Sequence, residues 1–167
     1  CTIYRFMASL LSNSVTQRPL VLDGAMGSLL QQENLSIETD YLGHENCVDL
    51  LVRSRPDLIR LIHESFLAVG ADAVETNTFG ANPLVLSEFS EEVASWSRVL
   101  CKEAAEIARA ACDAYATPTH PRFVLGSMGP GTKLITLGQV SWETMLASYT
   151  ESARGLLDGG VDAFLIE

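Results

Sequence analysis

The chain alternates short, unbroken apolar runs with longer stretches in which apolar residues recur at helical spacing. Leu20-Val21-Leu22 is apolar without alternation and closes on Asp23, followed by Gly24 and Gly27. Such a run predicts a strand buried on both faces, as in parallel sheets covered by helices. Ala71 to Phe79, Phe123 to Ser127 and Val161 to Glu167 repeat the pattern. Helices are predicted between them. Leu58, Ile59, Ile62, Phe66 and Val69 share a face after Ser54-x-x-Asp57, which has capping-box spacing, and Gly70 ends that run. Glu91 to Tyr115 carries Val93, Val99, Leu100, Ile107 and Ala111 as a buried stripe. Ser141 caps a helix bearing Met145, Leu146, Tyr149, Leu156 and Leu157, which Gly159-Gly160 terminates. Cys1 to Leu11 reads as a short amphipathic helix packed on the end of the fold. Asn13 to Pro19 reads as a turn-forming linker, and Glu33 to Asn46 as a long loop of the kind that often carries function.

One motif occurs twice. Gly70-Ala71-Asp72-Ala73 and Gly160-Val161-Asp162-Ala163 both place G-x-D-A between a helix and an apolar run, as repeated βα units require. The element order predicts an α/β fold of parallel strands with right-handed crossovers. About four strands is half of the eight that close a TIM (β/α)8 barrel, so the chain reads as roughly the first half of one. Residues 1–17 form an N-terminal helix and linker, and 18–167 the barrel portion, cut short at its carboxyl end. A doubly wound sheet is the alternative, weakened because no G-x-G-x-x-G follows any strand. A first residue that is Cys and a last strand that stops at Glu167 add to the expectation of a piece of a longer chain.

Composition narrows the function. The net charge is -10 with no basic run, which argues against nucleic acid or an anionic membrane as a partner. The apolar opening is too short to span a bilayer. Cys1, Cys47, Cys101 and Cys112 show no C-x-x-C pair and no Cys/His ligand spacing, so packing in a reduced, cytoplasmic setting is expected.

Polar residues gather at the carboxyl ends of the predicted strands: Asp23, then Glu75 and Asn77, then Ser127, then Glu167. In an α/β barrel those positions meet at one mouth. Burying a carboxylate is costly unless it is paired, and no Lys or Arg falls at a strand end. A ligand ammonium would serve Asp23 and Glu167 together. Bare amides at Gly24 beside Asp23 suit a zwitterion such as an amino acid. The competing reading has each carboxylate accept N–H bonds from its own loop, with Asp23 capping a turn. The loop from Gly126 to Lys133 is open to two readings, an anion cradle or a tight turn. His63 on the polar side of its helix and His120 between prolines suit neither ligand nor base, and His44 is a weak candidate. No Ser or Cys has a neighbouring base that would make it a nucleophile.

Three segments taken together are similar to one family. Leu22-Asp23-Gly24-Ala25-Met26-Gly27, Glu75-Thr76-Asn77-Thr78-Phe79-Gly80-Ala81-Asn82 and Gly126-Ser127-Met128-Gly129-Pro130 resemble the homocysteine S-methyltransferase domain. Asp40-Tyr41-Leu42-Gly43, Glu45-Asn46-Cys47, Ser141-Trp142-Glu143 and Tyr149-Thr150-Glu151 resemble in particular the amino-terminal module of cobalamin-dependent methionine synthases. The resemblance implies a zinc-dependent TIM barrel in which three cysteines hold the metal that activates the homocysteine thiol toward a methyl group on cobalamin. It implies that Asp23 and Glu167 hold the substrate ammonium and that amides around Gly24 and Ala25 take its carboxylate. It further implies that Asn77, Thr78 and Phe79 line the pocket. The family's zinc cysteines lie on later strands, so no such role passes to Cys47, Cys101 or Cys112. Cobalamin and 5-methyltetrahydrofolate would act through other modules of a longer chain, and this piece alone would be inactive. Betaine, S-methylmethionine or a fused folate reductase are alternative donor systems, and a non-catalytic interaction module is the alternative outside catalysis.

Overall fold

Three parallel strands stand side by side in sequence order: β1 (Ala73–Glu75), β2 (Phe123–Met128) and β3 (Ala163–Ile166). They belong to a computed structural model describing residues 2–167, with side chains described from Leu10 onward. The segment around Leu22 lies parallel on the outer side of β1, joined by a bridge from Leu22 to Ala73 and by Asp23 N–H donating to Ala73 O at 3.1 Å. The four extended segments therefore follow one another across the sheet without a reversal of order. A doubly wound sheet needs such a reversal at its switch point.

The helices are α1 (Thr2–Gln17), α2 (Met26–Leu30), α3 (Leu51–Ser54), α4 (Pro56–Ala68), α5 (Pro83–Leu86), α6 (Glu91–Ser95), α7 (Ser97–Tyr115) and α8 (Trp142–Asp158). Val74 and Val124 face them, packed with Leu67, Ala108, Ala111 and Cys112. The opposite sheet face carries Ala73, Phe123 and Leu125, against which Leu11 and Leu20 pack. Cys1, with which the expected opening helix begins, lies outside the described residues.

The repeated G-x-D-A acquires a physical cause. Gly70 and Gly160 have φ of 109° and 86°, the left-handed region in which a side chain would be strained. Each glycine turns the chain out of its helix, and the aspartate two residues on reaches across to the preceding strand. Asp72 Oδ2 accepts Val21 N–H at 2.8 Å, and Asp162 Oδ2 accepts Val124 N–H at 2.7 Å. An arginine closes each: Arg18 binds Asp72 through two N–H groups at 2.8 and 2.6 Å, and Arg109 binds Asp162.

Several local expectations need correction. The first strand is not buried on both faces: Val21 and Leu22 are exposed, and among the described residues only β1 lies beside it. β1 ends at Glu75, as Thr78 N–H turns back onto Thr76 O at 2.8 Å and takes the backbone off the ladder. Ser54 does not cap α4. It ends α3 and donates to Asp40 O, and Arg55 stands at the cap with no side-chain bond. The helix expected over Glu91 to Tyr115 breaks at Trp96, and the expected linker from Asn13 is helical to Gln17. Val69, Val99, Leu146 and Leu157 are exposed, and the α4 stripe runs through Leu58, Ile59, Ile62, His63 and Leu67 instead. The α8 cap is as expected, with Ser141 Oγ accepting Thr144 N–H at 3.1 Å.

Candidate functional site

Parallel strands in sequence order bring all their carboxyl ends to one rim. A cavity of about 450 Å³ opens there, lined by Asp23, Gly24, Ala25, Met26, Gly27, Val48, Glu75, Thr76, Asn77, Thr78, Phe79, Ser127 and Glu167. The seven residues singled out from the sequence (Asp23, Gly24, Ala25, Asn77, Thr78, Phe79 and Glu167) are all among them. Among the described residues no Lys or Arg lines the cavity.

The floor is built from a closed set of hydrogen bonds. Thr76 and Thr78 share a hydroxyl contact of 2.6 Å, Thr78 Oγ1 donates to Ser127 O at 2.8 Å, and Thr76 Oγ1 accepts Ser127 N–H at 3.1 Å. Asn77 is buried and its Nδ2 donates to Val48 O at 2.8 Å, which ties the end of the long loop to the rim. Phe79 stands exposed at the mouth, and its carbonyl accepts Gly129 N–H at 3.2 Å. Tyr149 Oη donates to Gly129 O at 2.6 Å, so the glycine-rich loop is pinned by its neighbours on both polar atoms. Those contacts favour the tight-turn reading of that loop over an anion cradle.

The acids are the distinguishing feature. The Asp23 side chain is 3% exposed, and its two oxygens share a single backbone donor, Glu75 N–H, at 3.0 and 3.2 Å. A carboxylate has about four acceptor positions, so Asp23 keeps capacity for a further donor. Glu167 Oε1 accepts from Ser127 Oγ at 2.7 Å. Burial first, and then the charges of Asp23 and Glu167, push the Glu75 carboxyl up to about 6. Behind the rim, burial pushes Asp49 up to about 6 against the opposing pull of Gly80 N–H.

Two features of this neighbourhood were missed in the sequence. Glu75 was noted only as a strand-end acid, yet it shares the cavity with the other two. His63 is not on a polar face. It is fully buried, with Nδ1 3.9 Å from Asp23 Oδ2. Its position one helical turn from both Ile59 and Leu67 was the available signal, overridden by the habit of counting His as polar. His120 lies away from the rim, bonded to Asp72 Oδ1 at 2.7 Å, and His44 stacks edge-on against Phe89.

A metal centre does not fit these residues. Among the described residues no group of three His, Cys, Asp or Glu side chains could hold an ion. Cys47, Cys101 and Cys112 sit in three different apolar clusters, and burial pushes each thiol up to about 12, far from the thiolate a metal requires. Among the described residues no helix is long and apolar enough to cross a membrane.

Comparison with known proteins adds the family context. The family profile for homocysteine S-methyltransferase matches residues 20–167. Methionine synthase from Mycobacterium leprae is 46% identical over 157 residues, covering 94% of this chain and 13% of that protein. Methionine synthase from Mycobacterium tuberculosis is 46% identical over 153 residues, covering 92% and 13%. The crystal structure of the homocysteine methyltransferase MmuM from Escherichia coli in its metallated form superposes with a TM-score of 0.71 at 24% identity, over 94% of this chain and 56% of that one. Its oxidized form gives 0.64 at 25% identity, over 87% and 51%. The chain thus spans about an eighth of the synthases and about half of the solved methyltransferase.

Proposed function

The chain belongs to the homocysteine S-methyltransferase family, and from that premise we propose that its rim cavity is the homocysteine-binding part of a methionine-forming methyltransferase. The observation that carries the reading is a cavity with three carboxylates, no Lys or Arg among the described residues that line it, and one buried acid with acceptor capacity to spare. Asp23 and Glu167 take the substrate ammonium, since a cation is what such a rim lacks. Gly24 and Ala25, exposed beside Asp23, offer backbone N–H groups to the substrate carboxylate. Asn77, Thr78 and Phe79 wall the side-chain path. Homocysteine then lies with its charged end at the first and last of the four extended segments.

The remaining parts of the reaction fall to residues this chain does not contain. Residues 18–167 are the first half of a TIM barrel, preceded by a helix and linker over 1–17. The zinc ligands come from the half of the family fold that the chain does not span. Cobalamin and 5-methyltetrahydrofolate act through further modules, and the chain by itself is inactive. Three buried, unoxidised cysteines suit a cytoplasmic setting.

The test is methyl transfer by the complete protein. With homocysteine and methylcobalamin or 5-methyltetrahydrofolate it forms methionine, and Asp23→Asn with Glu167→Gln abolishes turnover at ordinary homocysteine concentrations. Methionine formed only from betaine or S-methylmethionine would reassign the donor. No methionine from any donor would reduce the domain to a binding or interaction module.

A further inference from the structure

His63 projects from α4 into a fully enclosed position behind the rim. Among the described residues neither ring nitrogen has a hydrogen-bond partner. A buried imidazole left in that state is costly, and an apolar side chain of similar volume would fill the same space without the cost. The polar group it meets is the Asp23 carboxylate, with Nδ1 3.9 Å from Oδ2, just beyond hydrogen-bonding distance. Asp23 itself leans on one shared backbone N–H from the sheet side. Among the described residues it has no donor on the α4 side or from the cavity.

We infer that His63 is a positioning residue for Asp23, its Nδ1–H closing onto Oδ2 when a ligand ammonium engages the other side of the carboxylate. The inference rests on the reading of the cavity as an amino-acid site. It gives the unpartnered imidazole its donor role and fixes the rotation of the carboxylate, which a single shared donor leaves loosely defined. A movement of under one ångström by either side chain brings Nδ1 within range, and the neutral Nδ1–H tautomer suffices, so no change of charge is involved.

Two amide replacements separate this from packing. Asn can present its N–H near the place of Nδ1, and Gln only near that of Nε2. In the complete protein, His63→Asn is expected to keep the KM for homocysteine within about threefold, whereas His63→Gln raises it about tenfold at unchanged kcat, the size of one hydrogen bond to a charged group. The inhibition constant of 4-mercaptobutanoate, which lacks the amine, is expected to be the same in both. Equal KM values for the two variants, or equal loss for the amine-free compound, would overturn the inference. The parent reading is judged separately by Asp23→Asn. If that variant raises KM while His63→Gln does not, only the positioning role falls. If Asp23→Asn has no effect, both fall.

Discussion

The two ends of the sheet hold their acids in opposite ways. At the amino end, Asp72 receives two N–H groups from Arg18, one from Val21 and a contact from His120. Asp162 is matched by Arg109 and Val124. At the carboxyl end, Asp23, Glu75 and Glu167 share a cavity with, among the described residues, no Lys or Arg in its lining and a few neutral donors. The same residue type is thus saturated where the fold is stapled and under-supplied where a ligand would enter. Saturated carboxylates act on stability, and under-supplied ones on binding. The proton affinities follow: Arg18 and the other donors hold Asp72 well below the usual carboxylate range, while burial and mutual repulsion raise Glu75 to about 6.

The sharpest break of this contrast is at Asp72. Asp72→Ala leaves Arg18, His120 and Val21 N–H without their common acceptor, and is expected to cost about 3 kcal/mol of stability in urea denaturation. Its homocysteine KM should stay within about threefold; a KM loss as large as the stability loss would mean the ends are not separable. Next in size, Asp23→Asn is expected to raise KM about a hundredfold, the effect of truncating one partner of a buried charged pair, while shifting stability little. A smaller effect comes from pH. Asp49 and Glu75 bind protons more tightly folded than unfolded, so their share of stability falls as pH rises from about 4 to about 6. Asp72 has the opposite sign: its share is present above about pH 4 and is lost as pH falls below that. Asp49→Asn should therefore flatten the upper slope and add about 1–2 kcal/mol at neutral pH, measured by thermal unfolding across the range. The smallest effect is expected at Arg98, whose exposed pair with Asp158 belongs to neither end. Arg98→Ala should leave the thermal unfolding midpoint unchanged within error, as solvent screening of an exposed pair implies.

The parts that could be read from the sequence are those that depend on hydrophobic period and on motifs. The order of strands and helices, the Ser141 cap and the gathering of Asp23, Asn77 and Glu167 at one rim all follow from the position of polar residues after apolar runs. The G-x-D-A repeat was visible too, but its cause was not, because the arginines that complete it lie in distant segments. Ser54 was misread since cap spacing takes no account of Asp40 O, its tertiary acceptor. Val69 and Val99 were misread because an amphipathic stripe defines a face, and tertiary packing decides how wide a part of it is covered. His63 was hidden by its residue type, although its spacing from Ile59 and Leu67 placed it in the core.

The central claim is that the rim is short of a positive charge that the substrate supplies. The most direct measurement is calorimetric titration of the complete protein and its Asp23→Asn variant with homocysteine and with 4-mercaptobutanoate. The account predicts that the substitution weakens homocysteine about a hundredfold and leaves the amine-free compound unchanged. Equal weakening of both, or of neither, would contradict it.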